Sequence, residues 1–172
     1  MRKRLVVLAT FLLASVWFVV SSAYPNDAKI IDVQYTQLTK EARKQVDCLA
    51  DNIYYEAGYE PEQGRMAVAM VTMNRTQDPR FPKDICSVVK QRVNSTCQFS
   101  WFCEKKRLVN RDVYEQAREV AVMVYANYEK LHDMTKGALY YHADYVNPRW
   151  KLEKTTKIGR HIFYKEKDGN RI

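Results

Sequence analysis

The sequence predicts an α+β domain, mainly helical with a small C-terminal antiparallel sheet, and three observations predict it. Apolar residues recur at helical spacing through three long segments between Thr39 and Leu131. After Gly137 the character changes to two aromatic-rich, partly alternating stretches that read as strands. Nothing repeats internally and no low-complexity tract interrupts the chain, so one domain accounts for these elements together.

In the first helix Thr39 is a candidate N-cap, followed by Ala42, Val46, Leu49, Ala50, Ile53, Tyr54 and Ala57 on one face. Gly58 is expected to supply the backbone freedom of a helix exit, and Pro61 to be the first residue of a second helix over 61–75. Met66, Ala67, Val68, Ala69, Met70, Val71 and Met73 make that helix apolar on most sides, which predicts a buried central position. Asp78-Pro79-Arg80-Phe81-Pro82 breaks the pattern, and Asp84 is placed to cap a short helix through Ile85, Val88 and Val89. Residues 94–106 show no clear period. The third long helix is expected to be capped at Asp112, with Glu115 completing a capping box and an apolar stripe from Val113 to Leu131. Ala138-Leu139-Tyr140-Tyr141-His142-Ala143 and Ile158-Gly159-Arg160-His161-Ile162-Phe163-Tyr164 are the two strand segments, joined by a loop that holds Pro148 and Trp150.

At the N-terminus Arg2, Lys3 and Arg4 precede sixteen uncharged residues, Leu5 to Val20, and then Ser21-Ser22-Ala23. This is the pattern of a secretory signal over residues 1–23, with cleavage after Ala23; the rival is an uncleaved anchor, for which the run is short. Residues 24–38 read as a lead-in linker, 39–166 as the folded domain and 167–172 as a tail. Cleavage removes three positive charges and no negative one, so the net charge of +8 falls to +5. A basic exported chain suits an anionic partner such as a wall polymer or membrane surface. With no long Lys/Arg run and no recognised motif, nucleic acid is not an expected partner. The four cysteines, Cys48, Cys86, Cys97 and Cys103, read as two disulfides with three possible pairings. They lack the Cys-x-x-Cys spacing of structural zinc. No cofactor or metal is expected, and the protein is expected to be a monomer.

Glu56 is the residue with the clearest chemical meaning, because it ends the apolar face of the first helix, where water is scarce. Desolvation against Tyr54, Tyr55 or Phe99, together with repulsion from Glu60 four residues on, raises a carboxyl pKa towards that of a general acid. Glu60 itself is expected to bind backbone N–H groups of the next helix, with a smaller claim to direct chemistry. Gln98, Ser100, Tyr141 and His142 have side chains suited to hydrogen-bonding the hydroxyl and amide groups of a substrate. Phe99, Trp101 and Trp150 are suited to stacking on the flat apolar face of a substrate, although core packing explains each of them equally well.

Several segments, in order and spacing, resemble the SleB-type cell wall hydrolase family. They are Leu49-Ala50 with Ile53-Tyr54-Tyr55-Glu56-Ala57, then Gly64 with Ala67-Val68-Ala69 and Asn74-Arg75, then Pro79-Arg80-Phe81-Pro82 and Ile85-Cys86 with Val88-Val89. The likeness continues through Cys97-Gln98-Phe99-Ser100, Tyr141-His142-Ala143-Asp144, Val146 with Pro148 and Trp150, and Ile158-Gly159 with His161 and Phe163-Tyr164. The resemblance implies a lysozyme-like catalytic domain that cleaves the glycan of peptidoglycan by lytic transglycosylation, with the catalytic carboxylate on Glu56. It also implies a periplasmic or secreted protein, in a bacterium or in phage lysis. Two motifs depart from the family: its Glu-Ala-Arg-Gly-Glu reads Glu56-Ala57-Gly58-Tyr59-Glu60 here, and its Thr-His-Tyr-His reads Leu139-Tyr140-Tyr141-His142.

Two other readings stand beside this one. His142, His161 and Asp144 could form the metal site of an exported amidase, although no His-Glu-x-x-His helix is present. A wall-binding module that kept the fold and lost the chemistry is the second.

Overall fold

The computed structural model describes residues 29–167, so the predicted signal segment and most of the tail lie outside the described residues. Helix α1 spans Lys40–Ala57, α2 Glu62–Gln77, α3 Ile85–Val89, α4 Ser100–Glu104 and α5 Arg111–Asn127. Strands β1 (Arg92–Val93) and β2 (Thr96–Cys97) form a hairpin, while β3 (Tyr140–Ala143), β4 (Glu153–Ile158) and β5 (His161–Lys165) form an antiparallel sheet in the order β3-β5-β4. The predicted α+β class holds.

The helix starts show how side-chain oxygens satisfy the first unpaired backbone amides. Thr39 accepts from the Ala42 amide and Asp84 from the Ser87 amide, as expected. The cap of α5 is Asn110 rather than Asp112: Asn110 accepts from the Val113 amide, and Asp112 falls in the first turn, where its charge still complements the helix dipole. Pro61 precedes α2 instead of opening it, and its carbonyl accepts from the Gly64 and Arg65 amides.

Gly58 has a φ of −56°, a helical value open to any residue, so backbone freedom does not explain it. Space does. A Cβ there would stand 2.5 Å from the Tyr54 carbonyl oxygen and 3.0 Å from Cγ1 of Val113. The chain between α1 and α5 is therefore close-packed at this point.

Eleven of the sixteen residues of α2 are buried, which leaves it no solvent face and makes it the centre of the domain. Its one side packs with α1, α3 and α5 through Leu49, Ile53, Met70, Val89, Ala121 and Val124. The other side, Ala67 and Val71, packs on Ala138 and Phe163 of the sheet region. Phe163 is fully buried, and replacing such a phenylalanine by alanine costs about 3–5 kcal/mol.

Two differences from the sequence reading concern loops. Residues 94–106 contain the end of the β1–β2 hairpin and α4, elements too short to show a period. The expected loop between the two strands contains a third strand, β4, whose Glu-Lys-Thr-Thr-Lys run lacks apolar alternation because one side of it faces water. Residues 29–38 lie along α5: the Ile31 amide donates to Asn127 Oδ1 at 2.7 Å, and Asn127 Nδ2 donates to the Ile31 carbonyl at 3.0 Å.

Both disulfides form, Cys48–Cys86 between α1 and α3 and Cys97–Cys103 between β2 and α4. They close segments of 38 and 6 residues respectively. On the loop-entropy account, replacing Cys48 and Cys86 by serine lowers the unfolding free energy by about 4 kcal/mol, and the Cys97/Cys103 pair by about 2 kcal/mol. Guanidinium titrations of the two double variants measure both losses; the reverse ranking would refute the loop-length account.

Candidate active site

Glu56 sits in the last turn of α1, at a cavity of about 600 Å³ lined by Tyr54, Tyr55, Glu56, Ala57, Gly58, Tyr59, Glu60, Lys106, Arg107 and Val109. Seven of the ten lining residues form one stretch of chain, Tyr54 to Glu60, and the other three form the facing wall, in the segment between α4 and α5. The two tyrosines beside Glu56 hold that facing wall. The Tyr54 hydroxyl accepts from the Val109 and Asn110 amides at 3.0 and 3.1 Å, and the Tyr55 hydroxyl donates to the Lys106 carbonyl at 2.9 Å. The Tyr55 ring stacks on Trp101, whose indole N–H donates to the buried Asn52.

Tyr141 of β3 reaches Glu56 from the sheet side, its hydroxyl donating to Oε2 at 3.2 Å. Burial pushes the Glu56 carboxyl above its ordinary value; the Tyr141 bond and the charges of Lys106 and Arg75 pull it part of the way back. Burial and the Glu56 charge also push the Tyr141 phenol well above its ordinary value, so it stays a donor. The expected repulsion from Glu60 plays no part. Glu60 does not bond the α2 amides either: its Oε2 accepts from the Arg160 amide at 3.0 Å, at the turn between β4 and β5. Gly159 in that turn has a φ of +55°, and a Cβ there would overlap the Glu60 carboxylate.

Strand alternation divides the remaining candidates. Tyr141, Ala143, His161 and Phe163 face inwards, and the Tyr141 and His161 rings meet edge to face at 5.3 Å. His142 faces outwards, stacked on Tyr164 and edge-on to Trp150 at 5.4 Å. Its Nδ1 lies 2.8 Å from the Ala143 carbonyl and its Nε2 3.0 Å from the Tyr164 hydroxyl. His142 and Trp150 are thus on the sheet face turned away from Glu56. Gln98 and Ser100 lie at the β2–α4 junction, outside the residues lining the cavity.

Phe99 and Trp101 are buried in the main core, which corrects the substrate-stacking reading of both. Their aromatic faces are covered by Arg75 and Tyr55. Because His142 and His161 point to opposite faces, they do not converge on a common ion. Among the described residues no group of three or more His, Cys, Asp or Glu side chains is arranged to hold a metal.

Arg75 was not among the candidate site residues, yet it is only 2% exposed and its charge acts on Glu56, Tyr140 and Tyr141. Its Nε donates to the Leu139 carbonyl at 2.8 Å, and its guanidinium lies over the Phe81, Phe99 and Tyr140 rings at 5.2 to 5.9 Å. The signal for it in the sequence was an arginine inside an otherwise apolar helix. Burial lowers its pKa, with the two tyrosines and Glu56 opposing.

These features define a class: a mainly helical α+β domain whose cleft presents one partly desolvated carboxyl. The chain belongs to the cell wall hydrolase family, whose family model matches residues 59–164. It is 29% identical over 122 residues to the spore cortex-lytic enzyme of Bacillus subtilis, covering 67% of this chain and 35% of that protein. The enzyme of the same description from Halalkalibacterium halodurans is 27% identical over 125 residues, covering 69% of this chain and 34% of that protein. The chain therefore spans about a third of the length of these curated relatives. The solved catalytic domain of the germination-specific lytic transglycosylase SleB from Bacillus anthracis superposes with a TM-score of 0.56 at 26% identity, over 72% of this chain and 95% of that domain. The Bacillus cereus SleB catalytic domain gives 0.54 at 25%, over 72% and 91%.

A carboxyl whose pKa is raised in the folded state contributes stability below its unfolded pKa, and that contribution is lost as pH rises through the folded value. Glu56→Gln is therefore expected to match the wild-type Tm in acid and to exceed it towards neutrality, where wild type must bury the charge. Melting curves across pH check this; a gap that shrinks as pH rises would contradict it. Tyr141→Phe removes a donor to the carboxylate and is expected to raise the Glu56 pKa further, moving the alkaline limb of the pH–rate profile to higher pH.

Proposed function

We propose that this chain cleaves the glycan strand of peptidoglycan, between N-acetylmuramic acid and N-acetylglucosamine, by lytic transglycosylation. The observation that carries this reading is a single available carboxyl in the cleft. The only other acid lining the cavity, Glu60, is bonded to the Arg160 amide. Retaining and inverting glycosidases use two carboxyls, about 5 Å or roughly 6.5–9.5 Å apart. Intramolecular attack by a sugar hydroxyl needs only one.

In the first half of the reaction, protonated Glu56 gives its proton to the glycosidic oxygen as the bond from that oxygen to the muramic C1 breaks. The departing N-acetylglucosamine leaves with a 4-hydroxyl. The C6 hydroxyl of the muramic residue then attacks C1, and its proton returns to the Glu56 carboxylate. No water is consumed, and Glu56 ends in the state in which it began.

Burial of Glu56 favours the protonated form that the first half requires, while Tyr141, Lys106 and Arg75 stabilise the carboxylate that the second half requires. Membership of the cell wall hydrolase family and the likeness to a spore cortex-lytic enzyme and a lytic transglycosylase support the reaction class.

The basic balance of the chain and its two disulfides support export, to the periplasm or the medium, and peptidoglycan as the partner. A lytic role in a phage is one setting for such a protein. Cleavage after Ala23 belongs to this proposal.

Mass spectrometry of fragments released from purified peptidoglycan tests the reading, with Glu56→Gln in parallel. Fragments ending in 1,6-anhydromuramic acid, absent with the variant, are the expected result. Reducing-end sugars would make the enzyme a hydrolytic glycosidase, freed peptides an amidase, and binding without fragments a wall-binding module.

A further inference from the structure

Nine large apolar side chains are exposed among the described residues, and the two most exposed, Val109 at 87% and Tyr59 at 83%, both line the Glu56 cavity. Isolated exposed apolar residues are ordinary, but two that share one concave site form a patch that water solvates poorly. Neither has a role in holding the fold. Tyr59 makes no hydrogen bond and no ring contact among the described residues, and the Val109 side chain belongs to neither core cluster.

Their backbones, by contrast, are fixed. The Val109 amide is bonded to the Tyr54 hydroxyl, and the turn carrying Tyr59 is closed by the Gly58 amide on the Tyr54 carbonyl and the Glu60 amide on the Ala57 carbonyl. A fixed backbone that presents an unused aromatic ring at a cleft is an arrangement suited to a ligand with a flat apolar face.

The geometry points to Tyr59, opposite Val109, as a binding platform for the C–H face of an N-acetylhexosamine ring of the wall glycan, in the subsite beside the bond addressed by Glu56. This rests on the wall-glycan reading and adds a specificity-determining residue to it. Tyr59 stands where the resembling motif has glycine, and Gly58 stands where it has arginine. Close packing against Tyr54 and Val113 leaves no room for a side chain at 58, so the aromatic side chain that this turn brings to the cleft is the one at 59. In this chain a ring face therefore meets the sugar at a place where the motif supplies none.

Pelleting isotherms on purified peptidoglycan test the platform, in the Glu56→Gln background so that the substrate persists. Tyr59→Ala is expected to raise the apparent Kd about three- to tenfold, the range of one aromatic contact. Tyr59→Phe keeps the ring and is expected to bind as the parent does. Tyr145→Ala removes a similarly exposed ring outside the cavity, 77% accessible against 83% for Tyr59, and is expected to change nothing. Parent-like binding by Tyr59→Ala overturns the platform, as does a loss with Tyr59→Phe as large as with alanine, or with Tyr145→Ala. Failure of the parent itself to bind overturns the wall-glycan reading along with it, whereas binding that ignores residue 59 overturns the platform alone.

Discussion

The placement of the sheet depends on two adjacent side chains of α2. Asn74 Nδ2 donates to the Ala138 carbonyl at 3.1 Å, and Arg75 Nε to the Leu139 carbonyl at 2.8 Å. Consecutive residues of a buried helix thus hold consecutive carbonyls at the entry to β3, and the register of that strand follows. Tyr141 lies two residues beyond the second anchor, on the inward face, with its hydroxyl on Glu56. The same asparagine accepts from the Tyr128 hydroxyl and donates to Asp133, whose carboxylate also gathers the Thr135 and Gly137 amides. Burial pushes the Asp133 carboxyl up, but these bonds outweigh it and hold the group below its ordinary value. Buried polar groups left without partners are costly, so this network tolerates few alternative arrangements.

Arg75 carries the larger electrostatic consequence. A guanidinium stripped of water is stabilised here by three aromatic faces and one carbonyl. Its Nη1 is buried without a partner in the structure. The charge acts on Glu56 against the burial that raises the pKa of the acid. Opposed influences of this kind leave a carboxyl able to both give and regain a proton, which a one-carboxyl mechanism demands.

The helices were legible in the sequence because 3.6-residue periodicity and capping side chains are local properties. Thr39 and Asp84 capped where expected, while at α5 Asn110 took the place assigned to Asp112 because either residue type can accept the same amide. Strand β4 was hidden, since its polar residues face water and its pairing with β5 is fixed by the Gly159 turn rather than by apolar alternation. In the site, Glu56 was legible from its place at the end of an apolar stripe. Its surroundings were less so. His142 and Tyr141 are neighbours in sequence but belong to opposite faces, and assigning a face needs to know which one packs on α2. For Phe99 and Trp101 the sequence left core packing and ligand stacking equally open, because the helix and hairpin that bury them are too short to leave a pattern. Glu60 was assigned to the α2 amides, whereas its partner lies a hundred residues on.

The wall of the cleft opposite Glu56 hangs from the hydroxyls of Tyr54 and Tyr55, the two residues that immediately precede the acid. The acid and the surface facing it are therefore tied to the same turn of helix. A displacement of that turn carries both together, so the spacing across the cleft is a property of α1 rather than of the loop that closes it.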